Sequence, residues 1–139
     1  MNIGAYLHSR WAADAVLNGL LPVAKLVTGE YTVADPSVPY ATMFKTMGRP
    51  DAYDNDGACL DRQTIQITIH HGRDHYDEGA AIVEAVKNCF GRAAFDVSGS
   101  GKVINMQRTG DWESQDGDGN WVFAVQFDCR VYVPSGSGV

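Results

Sequence analysis

Histidine, cysteine and aspartate are the residues through which this sequence could do chemistry, and their spacing decides what that chemistry would be. His70, His71 and His75 stand close together. A zinc site needs three or four donors aimed at one point. His70 and His71 are neighbours at the end of an apolar alternation, so on a strand they point to opposite faces. His71 and His75 are separated by Gly72, which marks a turn and not a helix face. The expected reading is a polar strand end that holds no metal. Asp116-Gly117-Asp118-Gly119-Asn120 looks like the opening of a calcium loop. An EF-hand would need a glutamate at the twelfth position and a helix on each side. Here that position is Phe127, inside a strand-like run, so the segment is expected to be a hairpin turn.

The remaining candidates fall in the same way. Cys59, Cys89 and Cys129 are odd in number and widely spaced, with no paired-cysteine motif, and are expected to be reduced thiols. Cys129 shares the apolar face of an alternating run, where a small buried hydrophobe is the default. Asp54, Asp56 and Asp61 could supply an acid/base pair. The stretch Asp51–Gly57 around the first two reads as a solvated loop. Ser98-Gly99-Ser100-Gly101-Lys102 is too short for a phosphate-cradling loop and does not lead into a helix. No catalytic residue, cofactor or metal is expected, and the chain is not expected to be an enzyme.

The elements that would position these residues follow from periodicity. Ser9 to Leu21 reads as a helix with Ser9 as its N-cap, and Trp11, Ala12, Ala15, Val16 and Leu20 as its stripe. Tyr31–Val33 is expected as a short strand. Tyr40–Met47 is expected as a longer one, stopped by Gly48-Arg49-Pro50. Cys59–His70 is the clearest strand of the first half: Ile65, Ile67 and Ile69 alternate with Thr64, Gln66 and Thr68. Tyr76–Phe90 is the better helix. Gly79, Ile82, Val83, Val86 and Phe90 form its stripe, Asp74 its expected N-cap and Gly91 its stop. Lys102–Arg108 is expected as a strand with Trp112 beyond it, and Trp121–Val133 as the last strand. The fold class is therefore α+β: a mostly antiparallel sheet of four to five strands with two helices packed on one face. Residues 1–139 are expected to form one domain, with 134–139 as a flexible tail.

Composition narrows the function. The 139 residues carry a net charge of −6, with 45% hydrophobic and 20% charged residues. A domain of this length buries roughly two-thirds of its unfolded surface and needs no disulfide or metal. The acidic balance and the dispersed basic residues argue against a surface that grips nucleic acid. No apolar run is long enough to span a bilayer, and the N-terminus lacks the pattern of a signal peptide. Assembly in the cytoplasm, with no membrane partner, is the expectation.

Taken in order, several segments resemble the phage tail-completion family, which includes siphovirus-type tail terminators. Leu26-Val27-Thr28-Gly29 followed by Tyr31 is similar to that family's helix end and short strand. Val38-Pro39-Tyr40 leading to Gly48-Arg49-Pro50 is similar to its "Leu-Pro-Tyr … Gly-Arg-Pro" strand. Gln63–Ile69, the helix Tyr76–Phe90 and the ending Val125–Val133 are similar to its later strand, helix and "Asp-Phe-Arg-Val" finish. The likeness spans Ala12 to Val133. It departs at Glu30, which stands near the place of a usual arginine, and at Gly79, where alanine is usual.

The resemblance implies a structural virion protein. It would form a ring, typically hexameric, that ends the tail tube and joins it to the head connector. Its partners would be further copies of itself, the tube protein and a neck protein, with DNA passing through the lumen unbound. Loop chemistry places the expected partner contacts in Asp51–Gly57 and Asp111–Asn120: Asp51, Tyr53, Asp54, Asp56, Trp112, Glu113, Asp116 and Asp118. Arg62 and Arg130 are expected as charges between subunits. The competing readings are a head-closure or neck component and a small α+β enzyme or ligand-binding domain, the last requiring a deep pocket with converging polar groups.

Overall fold

Four long strands carry the architecture, and their alternating residues explain why. The computed structural model describes residues 3–28, 37–53, 59–91, 95–97 and 101–133. The chain runs α1 (Ile3–Ala13), α2 (Ala15–Leu20), a 3-10 turn (Val23–Lys25), β1 (Leu26–Thr28), β2 (Tyr40–Tyr53), β3 (Cys59–His71), α3 (Tyr76–Phe90), β4 (Phe95–Val97), β5 (Gly101–Gln115) and β6 (Trp121–Val133). One six-stranded sheet has the order β1-β2-β3-β6-β5-β4. β1 pairs parallel with β2, and the other pairings are antiparallel. The fold is α+β as expected, and the two outermost strands are three residues each.

Ile65, Ile67 and Ile69 of β3 lie opposite Phe127, Val125 and Phe123 of β6, and all six are buried. They form the sheet face that α3 covers with Ile82, Val83, Val86 and Phe90. Phe90 joins the two layers. Its ring meets Phe127 at 6.1 Å edge-on and Trp11 of α1 at 6.3 Å. The other sheet face carries Thr42, Gln66, Gln126 and Trp112 and has no helix over it among the described residues. No described helix is long and apolar enough to cross a membrane.

Several element boundaries differ from expectation. The first helix begins at Ile3 because Ile3, Tyr6, Leu7 and Trp11 already form a buried stripe at helical spacing. Ser9 is an exposed interior residue of that helix. The cap belongs instead to Asp14, which breaks the segment in two and accepts from Leu17 N at 2.9 Å. Trp11 Nε1 donates to Leu21 O at 2.7 Å and ties the two pieces together. α3 is capped at His75, not Asp74, with Asp77 and Glu78 in its first turn. The short strand before β2 is Leu26–Thr28, and Tyr31–Val33 lies outside the described residues.

β2 does not stop at Gly48. It continues through Pro50 to Tyr53 because register shifts between Lys45 and Met47 and between Pro50 and Ala52 absorb the irregular residues. Proline lacks an N–H, but β1 reaches β2 only at Ala41–Met43, so Pro50 is in an edge segment that tolerates it. β5 likewise runs on to Gln115 past a shift between Arg108 and Gly110. Asp51 and Tyr53 are therefore strand residues, as are Trp112 and Glu113, and not the loops the sequence predicted.

Candidate functional site

Three places collect the polar and aromatic side chains that chemistry or binding would use. The first is the corner where β3 ends and α3 begins. His71 is buried, and the turn through Gly72 brings its ring into stacking with that of His75, with centroids 4.9 Å apart and planes 19° apart. His71 Nε2 lies 2.9 Å from Glu78 Oε2, and His75 Nδ1 lies 3.5 Å from the same oxygen. The three donors fall within 4.8 Å of one another. Sequence reading named the two histidines but not Glu78, whose place one helical turn after His75 was the available signal.

The tautomer decides what this cluster can do. Gly72 N donates to His71 Nδ1 at 2.8 Å, so Nδ1 presents its lone pair and the ring proton sits on Nε2. That proton is given to Glu78. A metal at Nε2 would require the proton on Nδ1, against the Gly72 N–H. The corner is a hydrogen-bonded lock between β3 and α3. Burial lowers the His71 pKa, opposed by the hydrogen bond it donates to Glu78 and by that residue's charge. His70 points to the other face, as expected from its strand position, and stacks on Tyr40 at 4.4 Å. Its pKa is lowered by burial, opposed by the charge of Asp116.

The second place is the β5–β6 hairpin tip. Asp116 Oδ1 accepts from Asp118 N at 2.8 Å and from Asn120 N at 3.0 Å. Gly119 takes φ +82, a left-handed conformation that suits glycine. The Asp-Gly run is thus a turn whose first carboxylate is spent on backbone N–H groups, as the hairpin reading expected. Arg73 Nη2 donates to Asp118 O at 2.7 Å, and Trp121 Nε1 donates to Arg73 O at 3.1 Å, which fastens the tip to the segment before α3. On β5, Glu113 accepts from the Tyr76 hydroxyl at 2.9 Å, which raises the tyrosine's pKa. Asp111 lies 3.1 Å from Lys87 and 2.6 Å from Arg108, and these cations, Lys87 first, lower its pKa. Trp112 faces the other way and is 50% exposed.

The third place is the open sheet face. Arg62 and Arg130 lie directly opposite across β3 and β6, a juxtaposition of like charges. Asp128, two residues along on the same face, accepts from Arg62 Nε at 2.9 Å and forms an ion pair with its guanidinium. Thr64 Oγ1 adds a third bond to Asp128 at 3.0 Å. Arg62 is therefore engaged within its own chain. Asp51 and Tyr53 sit near the far end of β2, and Asp54 and Asp56 lie outside the described residues. The structure does not gather the predicted contact residues at one spot. Trp112, Glu113, Asp116 and Asp118 follow one another along β5 and its turn, while Asp51 and Tyr53 lie on the strand at the other side of the four-stranded core.

Nothing in these places makes a nucleophile. Burial pushes the thiols of Cys89 and Cys129 up to about 12, so both stay protonated. Two clefts of about 430 Å³ each among the described residues are open. One is lined by Leu20, Pro39, His71 and Glu78, the other by Lys87, Asn88, Gln107 and Arg108.

Comparison with known proteins gives these surfaces a context. The family described as Tail completion protein gp17 matches residues 5–133. No curated protein matches the sequence. Among solved structures, a chain from the "Virion of native gene transfer agent (GTA) particle" shares the fold, with a TM-score of 0.72 and coverage of 91% of both chains at 13% identity.

Proposed function

Given that the chain belongs to the family of Tail completion protein gp17, and so is a structural protein of the virion tail and not an enzyme, we propose that it acts as a ring. Copies of the chain, expected to number six, close around the end of the tail tube, stop its growth and present a surface to the head connector. The match over residues 5–133 is the observation that carries this reading.

The physical features fit it. A heterologous ring needs two unlike side surfaces on each subunit. The long strands β2 and β5, which flank the sheet core on opposite sides and pair with β1 and β4 over only three residues each, offer such a pair. The net charge of −6 suits a lumen that DNA traverses without adhering, since like charges repel. The hairpin tip at Asp116 and Asp118 is held rigidly enough to serve as an axial contact.

Light scattering and negative-stain electron microscopy of the purified protein, alone and mixed with tail-tube protein, test the proposal. Rings that cap tube ends are expected. A strict monomer that never associates with tube protein would sink it. Rings that bind only the head-side adaptor would assign the chain to the neck instead.

A further inference from the structure

One buried polar group on the apolar side of the sheet lacks a bonding partner. Gln63 lies level with Cys129 and two residues before Ile65, so its side chain belongs to the face that the helices cover. It is 4% exposed, and its Oε1 is buried without a hydrogen bond. An unsatisfied buried amide oxygen costs stability, whereas a leucine of similar size would carry no such cost. The amide borders a cleft of about 180 Å³ walled by Ile3, Met43 and Ile65. The exposed residues Thr28 and Lys45 also line it. The cleft lies where β1 ends, because Thr28 pairs with Met43.

The charge around this cleft is positive, on a chain whose net charge is −6. A Cβ on Gly48 would lie 3.4 Å from Lys45 Nζ, and Gly48 pairs with Gln63, so the ammonium lies over β2 at the level of the amide. Lys45 has no acidic partner among the described residues. Ile3 opens α1, which has no acid in its first turn, so the positive end of the helix dipole also borders the cleft. No acidic side chain lines it among the described residues. Size narrows the occupant: small-molecule sites usually run to about 300–1,000 Å³, so this cleft suits a single side chain. Its ligand needs an apolar body for the walls, an N–H for Gln63 Oε1 and a carboxylate for Lys45. The last residue of a polypeptide, when apolar, carries all three. An internal acidic residue would need a second side chain to fill the walls.

We propose that this cleft captures the C-terminal residue of a partner polypeptide, an apolar residue with a free carboxylate. Its side chain enters between Ile3, Met43 and Ile65, its backbone N–H donates to Gln63 Oε1, and its carboxylate accepts from Lys45 Nζ. The opposite charges of carboxylate and cleft select this occupant. Gln63 is then a residue at which stability is given up for binding. The contact holds whether or not copies of the chain close into a ring.

Titration of the isotope-labelled chain, followed by NMR at the Gln63 side-chain amide, tests it. The probes are the peptide Gly-Ser-Gly-Ser-Leu with a free carboxylate, its C-terminal amide, and a version ending in glycine. The free acid should bind and shift the Gln63 resonances. Amidation or the glycine ending should weaken binding by at least about tenfold, the worth of one charge-assisted hydrogen bond or one buried leucine side chain. Lys45→Met and Gln63→Leu should each weaken binding of the free acid by a similar factor. The urea midpoint separates binding from a structural role: Gln63→Leu should raise it, because the unsatisfied amide is gone. No binding of the free acid at millimolar concentration would overturn the proposal. So would equal binding of acid and amide, indifference to both substitutions, or a lowered urea midpoint in Gln63→Leu.

Discussion

Gly79 shows how closely α3 rests on the sheet. A Cβ at this position would come within 2.3 Å of Phe123 Cε2 and 2.8 Å of its Cζ. The ring is held in turn by Tyr76 and Trp121, at 5.6 and 6.2 Å between centroids. This accounts for glycine at this position. Gly79→Ala should destabilise the fold by about 1–3 kcal/mol, the usual cost of overpacking, as read from the urea midpoint. The gain in helix propensity from alanine, about 1 kcal/mol, offsets only part of that. His71 supports a different prediction. Its folded-state pKa is lowered below the ordinary 6.5, so below pH 6.5 the unfolded chain binds a proton that the folded chain refuses. Stability is fully present above that value and falls as the pH drops toward the folded pKa. His71→Gln, which can still donate to Glu78, should flatten this part of the pH–stability curve measured by denaturant titration. The histidines themselves were legible in the sequence, but their tautomer and their partner Glu78 were not, because these depend on the turn that folds α3 back over β3.

At the scale of elements, the bounds of β3, α3 and β6 were legible because each has an unbroken period: two in Gln63–Ile69 and Trp121–Val133, near 3.6 in Tyr76–Phe90. β2 and β5 were read too short for one shared reason. Each bulge inserts a residue and inverts the alternation, so a continuous strand looks like a strand followed by a loop. Asp51, Tyr53, Trp112 and Glu113 were thereby read as loop residues although they lie on strands, whereas Asp116 and Asp118 do lie in a turn. The hairpin joining β5 to β6 was legible from its turn chemistry, and its stability is testable. Asp116→Ala removes the acceptor for two backbone N–H groups. It should cost roughly 1–2 kcal/mol and lower the melting temperature by roughly 5 °C in a calorimetric scan. Asp116→Asn, which keeps an acceptor oxygen, should retain most of that stability.

For the whole molecule, the three tryptophans report on assembly separately. Trp11 is fully buried, Trp121 is partly buried and hydrogen-bonded to Arg73 O, and Trp112 is half exposed. If assembly covers this part of β5, the fluorescence maximum should shift to shorter wavelength as protein concentration rises through the association range. Trp112→Phe should abolish that shift while leaving the monomer spectrum of the other two. The sequence showed that the chain works through its surfaces, since the histidine, Asp-Gly and cysteine candidates each failed on face or spacing. It did not show which surfaces, because edge strands are defined by what does not pair with them.

The bulges on β2 and β5 have a geometric consequence for the shape of the sheet. Each extra residue, Thr46 and Asp51 on β2 and Ile104 and Thr109 on β5, lengthens one strand against its neighbour, so the ladder bends and twists more strongly there. The pairing of β3 with β6 has no such shift, so the curl is confined to the two flanks and the middle of the sheet keeps the regular surface on which α3 rests.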